Sequence, residues 1–300
     1  MSIRIGINPI TWTNDDVPEL GGETPLETCL SETRAAGYAG TELGGKFHRE
    51  ARLLKPILDR HQLALVSGWY DGRCDEKSVE AELEAIAPHL TLLADMGCRH
   101  VVYADTSRGR HGAIWQPISQ RPSLSAEEWP AYGRKLTRLA ERMAEDFGVR
   151  MAFHHHMGTI VETDEEIGLL MRHTGEAVGL LYDTGHCVFS GGDPLALVKA
   201  HVKRIVHVHC KDSRRDILER ARAADASFMD SVLAGIFTVP GDGFIDYPAI
   251  LAVLAEAGYA GWMVVEAEQD PRIAHPLTYA SLGFRNLREL ALNAGFRLAD

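Results

Sequence analysis

Cysteine is scarce in this chain, with 5 in 300 residues: Cys29, Cys74, Cys98, Cys187 and Cys210. Their number is odd, their spacing is wide and no C-x-x-C occurs, which argues against a disulfide framework and suits reduced thiols. No apolar run approaches the roughly 18 residues that a membrane helix needs. The opening Met1-Ser2-Ile3-Arg4-Ile5-Gly6 runs straight into a strand-like segment. It lacks the basic and apolar regions of a secretory signal, so the cytoplasm is the expected location. Positive charge is in deficit as well. The 31 Lys+Arg face 42 Asp+Glu, leaving a net charge of −11 with no basic arm to offset it. Such a chain repels a nucleic-acid backbone and an anionic membrane surface, so neither is an expected partner.

What remains is material for a large core, since 45% of the residues are hydrophobic. One pattern recurs: an amphipathic helix, a glycine near its end, then a short apolar strand. It is seen around Gly37, Gly97, Gly148 and Gly258, where glycine ends a helix because it accepts the left-handed conformation. Ser125-Ala-Glu-Glu128 and Thr163-Asp-Glu-Glu166 read as capping boxes, and Asp193-Pro194 as an N-cap followed by proline at the first helical position. Strands are expected at about 3–8, 40–44, 63–69, 100–105, 149–155, 178–183, 204–210 and 261–267. Strands alternating with helices imply a parallel sheet. Eight of them point to one α/β domain over 1–300, a single (β/α)8 TIM barrel. The irregular stretch from Asp212 to Asp246 follows the seventh strand, and its middle, 216–234, has the composition of one inserted helix.

In such a barrel the active site lies at the C-terminal ends of the strands. Here four consecutive strands end in groups suited to a metal: Phe153-His154-His155-His156, Tyr182-Asp183-Thr184-Gly185-His186, His207-Val208-His209-Cys210-Lys211 and Val265-Glu266-Ala267-Glu268. Alternation tests whether they converge. With His154 inward, Met151 and Phe153 face the helices; with Asp183 inward, Leu180 and Tyr182 do. With His209 inward, Val206 and Val208 face outward; with Glu266 inward, Met263 and Val265 do. All four phases place an apolar face on the helices, and a shift of one residue destroys that agreement. His154, Asp183, His209 and Glu266 therefore form a mixed nitrogen and oxygen set suited to manganese, cobalt, iron or zinc.

Around this set, His156 and Glu268 share the inward phase one step further on. His186 follows Asp183 by three residues, and Lys211 shares phase with His209, where a lysine can act as base or acid or simply form a salt bridge. Glu42, ending the second strand, is a candidate contact for substrate hydroxyls. Trp12, Trp69 and Tyr103 either wall a sugar-like ring or pack the core. Cys187 and Cys210 read as inert, and His48, His61 and His89 as surface residues.

Taken together, Phe153–Thr159, Tyr182–His186, His207–Asp212, Phe237-Thr-Val-Pro-Gly-Asp-Gly243 and Val264–Pro271 resemble inosose dehydratase, of the xylose-isomerase-like barrel superfamily. Asn8–Asp16 and Gly40–Gly45 match as well, so the resemblance spans essentially the whole chain. It implies loss of water from scyllo-inosose (2-keto-myo-inositol) to a trihydroxycyclohexane-dione in myo-inositol catabolism, a manganese or cobalt ion, and an association with glutathione that no sequence feature places. The isomerases and epimerases of the superfamily usually carry a glutamate where His154 stands, which leaves His154 or His156 as the first ligand. In the implied chemistry a Lewis-acidic metal makes the proton beside the ketone removable, and His156, His186 and Lys211 are the candidates for base and acid. An isomerase or epimerase using the same enolate is the main rival. Zinc-dependent cleavage of damaged DNA and a non-catalytic sugar-binding role fit the charge and the ligand ring less well. Self-association is compatible with such a barrel, with no interface to name.

Overall fold

The computed structural model describes residues 1–15 and 17–299. Asp16, the last residue of the N-terminal motif, and Asp300 lie outside the described residues. Eight parallel strands make the barrel: β1 Ser2–Ile7, β2 Gly40–Leu43, β3 Ala64–Gly72, β4 His100–Asp105, β5 Arg150–His154, β6 Val178–Asp183, β7 Ile205–Cys210 and β8 Gly261–Val265. Each pairs with the next, and β8 pairs back onto β1 from Ile3↔Gly261 to Ile7↔Val265, which closes the sheet. All eight expected strands are present, two of them with the expected bounds and the others shifted by at most three residues at an end.

The local signals act largely as read. Thr163 and Glu166 form a complete capping box at the helix Asp164–His173, and Asp193 caps the helix Pro194–His201 with Pro194 in its first turn. Gly37 (φ 107°) and Gly148 (φ 69°) end their helices in the left-handed region that a side chain resists. The Ser125–Glu128 pair forms only half a box: the Glu128 carboxylate accepts from Ser125 N at 2.7 Å, and the helix begins beyond it at Trp129.

The principal core lies between sheet and helices. Met151, Phe153, Leu180, Tyr182, Val208, Met263 and Val265 are all in it, as alternation predicts. Val206 is not. It packs inside the barrel with Val102, Ala152, Leu181 and Trp69, because the β6–β7 register slips between Leu180 and Leu181 and breaks the alternation of β7. Gly179 makes room for it, since a Cβ there would lie 2.4 Å from Val206 Cγ2. Gly179→Ala is therefore expected to cost about 1–3 kcal/mol through overpacking. Thermal denaturation checks it, and an unchanged midpoint would contradict this packing.

The insertion after β7 holds two helices, Arg215–Ala223 and Phe228–Leu233, where one was expected. Asp225 breaks the run at φ 46°, and Ser227 caps the second helix by accepting from Asp230 N. Buried Asp212 accepts backbone N–H bonds from Ser213, Gly241, Gly243 and Ile245, which ties the Pro240–Gly243 turn to the end of β7. The apolar side of the insertion forms a second cluster with Met157, Val188 and Phe189 over one side of the barrel mouth. No helix among the described residues is long and apolar enough to cross a membrane.

Candidate metal centre and cleft

The strand ends do converge. Ligand atoms of His154, Asp183, His209 and Glu266 all lie within 4.8 Å of one another, and the four residues are buried. Two come from the last residues of β5 and β6, one from β7, and Glu266 from the residue just past β8. His154 is the histidine that groups with Asp183, His209 and Glu266, whereas His156 groups with His186 and Glu268.

Hydrogen bonds decide what each group presents. His154 Nδ1 stands 2.6 Å from the carbonyl of His155, so Nδ1 carries the proton and Nε2 faces Asp183 Oδ2 at 3.8 Å. Asp183 Oδ1 accepts from His186 N at 2.8 Å and caps the helix Thr184–Phe189. Its Oδ2 is buried with no hydrogen-bond partner. His209 Nδ1 lies 2.9 Å from Glu266 Oε2 and 3.5 Å from Asp183 Oδ2, again without an aligned hydrogen bond. Orphaned polar atoms facing one another in a dry site carry a large desolvation penalty. A divalent cation among two imidazole nitrogens and two carboxylates removes that penalty, so the residues present fit a metal.

The charges around the set agree with this. Burial raises the Asp183 pKa, but His186 and Lys211 outweigh it and hold the carboxyl well below its usual range. Glu266, also opposed by burial, is held at about 2 by His209 and Lys211. Lys211 is completely buried and donates to Glu266 Oε1 at 2.6 Å, Glu268 Oε2 at 2.8 Å and His186 Nε2 at 2.9 Å. Burial alone would lower its pKa, yet Glu266 and Glu268 raise it above the ordinary lysine value. Lys211 is thus held as an ammonium whose three protons are shared among Glu266, Glu268 and His186. Its proton on His186 Nε2 leaves the imidazole hydrogen of that residue on Nδ1.

A cleft opens above His154, His209 and Glu266, with Asp183 fully buried beside them and outside its lining. Its lining includes Asn8, Ile10, Asp15, Glu42, Leu43, Trp69, Val102, His156 and Glu268 beside His154, His209 and Glu266. Burial, then His186, keeps His156 well below the usual histidine range. Its Nδ1 lies 3.0 Å from the Met157 carbonyl, so the basic Nε2 is left for the cleft. Trp69 stands edge-on to His154 and His156, with ring centres 5.7 and 5.1 Å away.

Other expected contacts fall elsewhere. His186 and Lys211 lie behind the lining. Trp12 points away from the cleft and donates its indole N–H to Glu32 at 2.6 Å. Tyr103 faces the helices, where its hydroxyl donates to Glu82 at 3.0 Å. Its neighbour Val102 holds the inward position on β4, so strand parity itself assigns Tyr103 to the core. Glu42 is at the cleft: its Oε1 accepts from Ser67, His207 and His209, while Oε2 accepts from Asn8 and keeps a second lone pair. Among the presumed surface histidines, His89 is mostly buried, and burial takes its pKa to about 4. Sequence reasoning passed over Asn8, Asp15 and His111, whose ring centre is 5.5 Å from that of His156. It also missed Phe228, which lies 5.5 Å from His156 and 5.7 Å from His186 and shields both from water. Asn8 and Asp15 had a signal in the Asn8–Asp16 motif, and Asn8 also in the inward phase of Arg4, Gly6 and Asn8 along β1.

The family described as "Xylose isomerase-like TIM barrel" matches residues 30–290. The rhizopine catabolism protein MocC of Rhizobium meliloti is 70% identical over 300 residues, covering 100% of this chain and 92% of that protein. An inosose dehydratase of Geobacillus thermodenitrificans is 43% identical over 289 residues, covering 96% of this chain and 97% of its own. Among solved structures, an L-ribulose 3-epimerase superposes with a TM-score of 0.66 at 19% identity, covering 98% of this chain and 96% of the other. The IolI protein with a bound zinc atom gives 0.64 at 19% identity and 97% of both chains. At such identities these two speak to the fold alone. Family match and full-length relatives agree: the chain belongs to the xylose isomerase-like TIM barrel family, in the group that contains the inosose dehydratases.

Proposed function

We propose that this chain is a metal-dependent hydro-lyase that removes water from scyllo-inosose and yields a trihydroxycyclohexane-1,2-dione in myo-inositol catabolism. The observation that carries this reading is the convergence of His154, Asp183, His209 and Glu266, three of which line a cleft shared with His156, in a chain similar over its length to inosose dehydratases. Among the described residues lining the cleft none is Lys or Arg, while Asp15, Glu42, Glu266 and Glu268 are acidic. That lining favours a neutral polyol and disfavours a phosphorylated or nucleic-acid substrate.

In this reading the four residues hold manganese or cobalt, which when bound supplies Lewis-acid polarisation of the substrate ketone. His156 Nε2 takes the proton from the carbon beside the carbonyl. The resulting imidazolium returns that proton to the hydroxyl departing from the next carbon, so one molecule of water leaves and the atoms balance. Glu268, fixed by Lys211, orients that hydroxyl, and Lys211 with His209 keeps Glu266 ionised. Asp15 at the rim accepts from hydroxyls remote from the ketone, and Trp69 packs on the ring. A second reading follows the name of the 70% identical relative: the same dehydration serving rhizopine catabolism.

The test is ultraviolet absorbance of the enolised diketone, with purified protein, scyllo-inosose and manganese or cobalt, with and without glutathione. Product is expected with metal and lost on chelation. A new inosose or ketose found by chromatography, without diketone, would replace the dehydratase with an isomerase or epimerase.

A further inference from the structure

We infer that Glu42 is a positioning residue that sets which nitrogen of His209 meets the cation: Nε2–H is held by Glu42, and Nδ1 is the ligand atom. The inference rests on the metal reading above and needs no substrate. Glu42 Oε1 lies 3.2 Å from His209 Nε2 and 3.0 Å from His207 Nε2. Ser67 Oγ donates to the same oxygen, and Asn8 Nδ2 donates to Oε2 at 2.8 Å. Both nitrogens of His209 face carboxylates, but only Nε2 makes an aligned hydrogen bond, to Glu42; with a cation on the Glu266 and Asp183 side, the proton belongs on Nε2 and the lone pair on Nδ1. His154 is set the opposite way, with Nδ1 on a carbonyl and Nε2 inward. The two histidines of one centre are therefore opposite tautomers.

Asn8 locks the arrangement. Its amide nitrogen donates to Glu42 Oε2 and, at 3.1 Å, to Glu266 Oε2, while its oxygen accepts from Ile10 N at 2.9 Å. A flipped amide would set its oxygen against two carboxylates, so one orientation survives. A carboxylate behind a metal-binding imidazole orients the ring and raises its basicity, and losing such a partner typically lowers metal affinity roughly 10–100-fold.

Cadmium-113 is the probe, bound to protein carrying 15N-labelled histidine, because long-range proton–nitrogen correlations and cadmium–nitrogen couplings identify the bound nitrogen. In the unmodified protein one histidine is expected to couple through Nδ1 and another through Nε2. Glu42→Gln, checked for folding by circular dichroism, is expected to lose roughly 10–100-fold in cadmium affinity and to show both His209 tautomers. His207→Gln, which keeps the Glu42–His209 contact, is expected to retain the wild-type coupling pattern. Coupling through Nε2 at both histidines overturns the inference, and so does Glu42→Gln binding with wild-type affinity and spectrum. Either result beside diketone formation in the absorbance assay leaves the dehydratase reading standing. Absence of cadmium binding removes both the inference and the metal centre.

Discussion

Asp183→Asn leaves the barrel folded yet removes its divalent ion and lowers turnover on the order of a thousandfold or more. The two oxygens of Asp183 have separate tasks. Oδ1 caps the helix Thr184–Phe189 through His186 N, and an asparagine oxygen serves as a cap equally well, so the fold is retained. Oδ2 is buried, has no hydrogen-bond partner, and stands 3.5 Å from His209 Nδ1 and 3.8 Å from both Lys211 Nζ and His154 Nε2. An amide NH2 in its place offers a donor where a cation needs an anion. Elemental analysis after dialysis, a thermal melt and kcat together measure the outcome. Full metal content with full turnover would remove Asp183 from the centre, whereas a collapsed melt would make its role structural.

The second large effect is expected at His156. Replacing it with glutamine lowers kcat by about 10²–10⁴-fold, while metal content is kept and KM changes little. The ring is fixed by the Met157 carbonyl on one side and covered by Phe228, so its free nitrogen has one place to act, the cleft. Loss of metal in His156→Gln would instead make His156 a ligand. A rise in KM with unchanged kcat would make it a binding group.

Much of this was legible because a strand repeats every two residues. Parity alone predicted that His154, Asp183, His209 and Glu266 face inward, and the structure brings them together. Parity failed on β7 because Val206 sits at a register slip, which depends on the neighbouring strand. Parity could have excluded Tyr103, whose neighbour Val102 points inward. The insertion was legible as helical, but its break at Asp225 and the seating of Phe228 over two histidines depend on packing against the rim.

The sequence by itself determined the strand count, the apolar face turned to the helices and the four residues that cluster at the strand ends, because these follow from local periodicity. Tertiary structure alone decided what those residues present to a metal. Asn8 meets Glu266 across 258 positions and Glu42 meets His209 across 167. Closure of the barrel sets β1 between β8 and β2 and points Glu42 across the interior to β7. The enclosed ammonium of Lys211 likewise follows from burial beside Glu266 and Glu268. Tautomer and charge are properties of partners, and partners far apart in the chain are chosen by the fold.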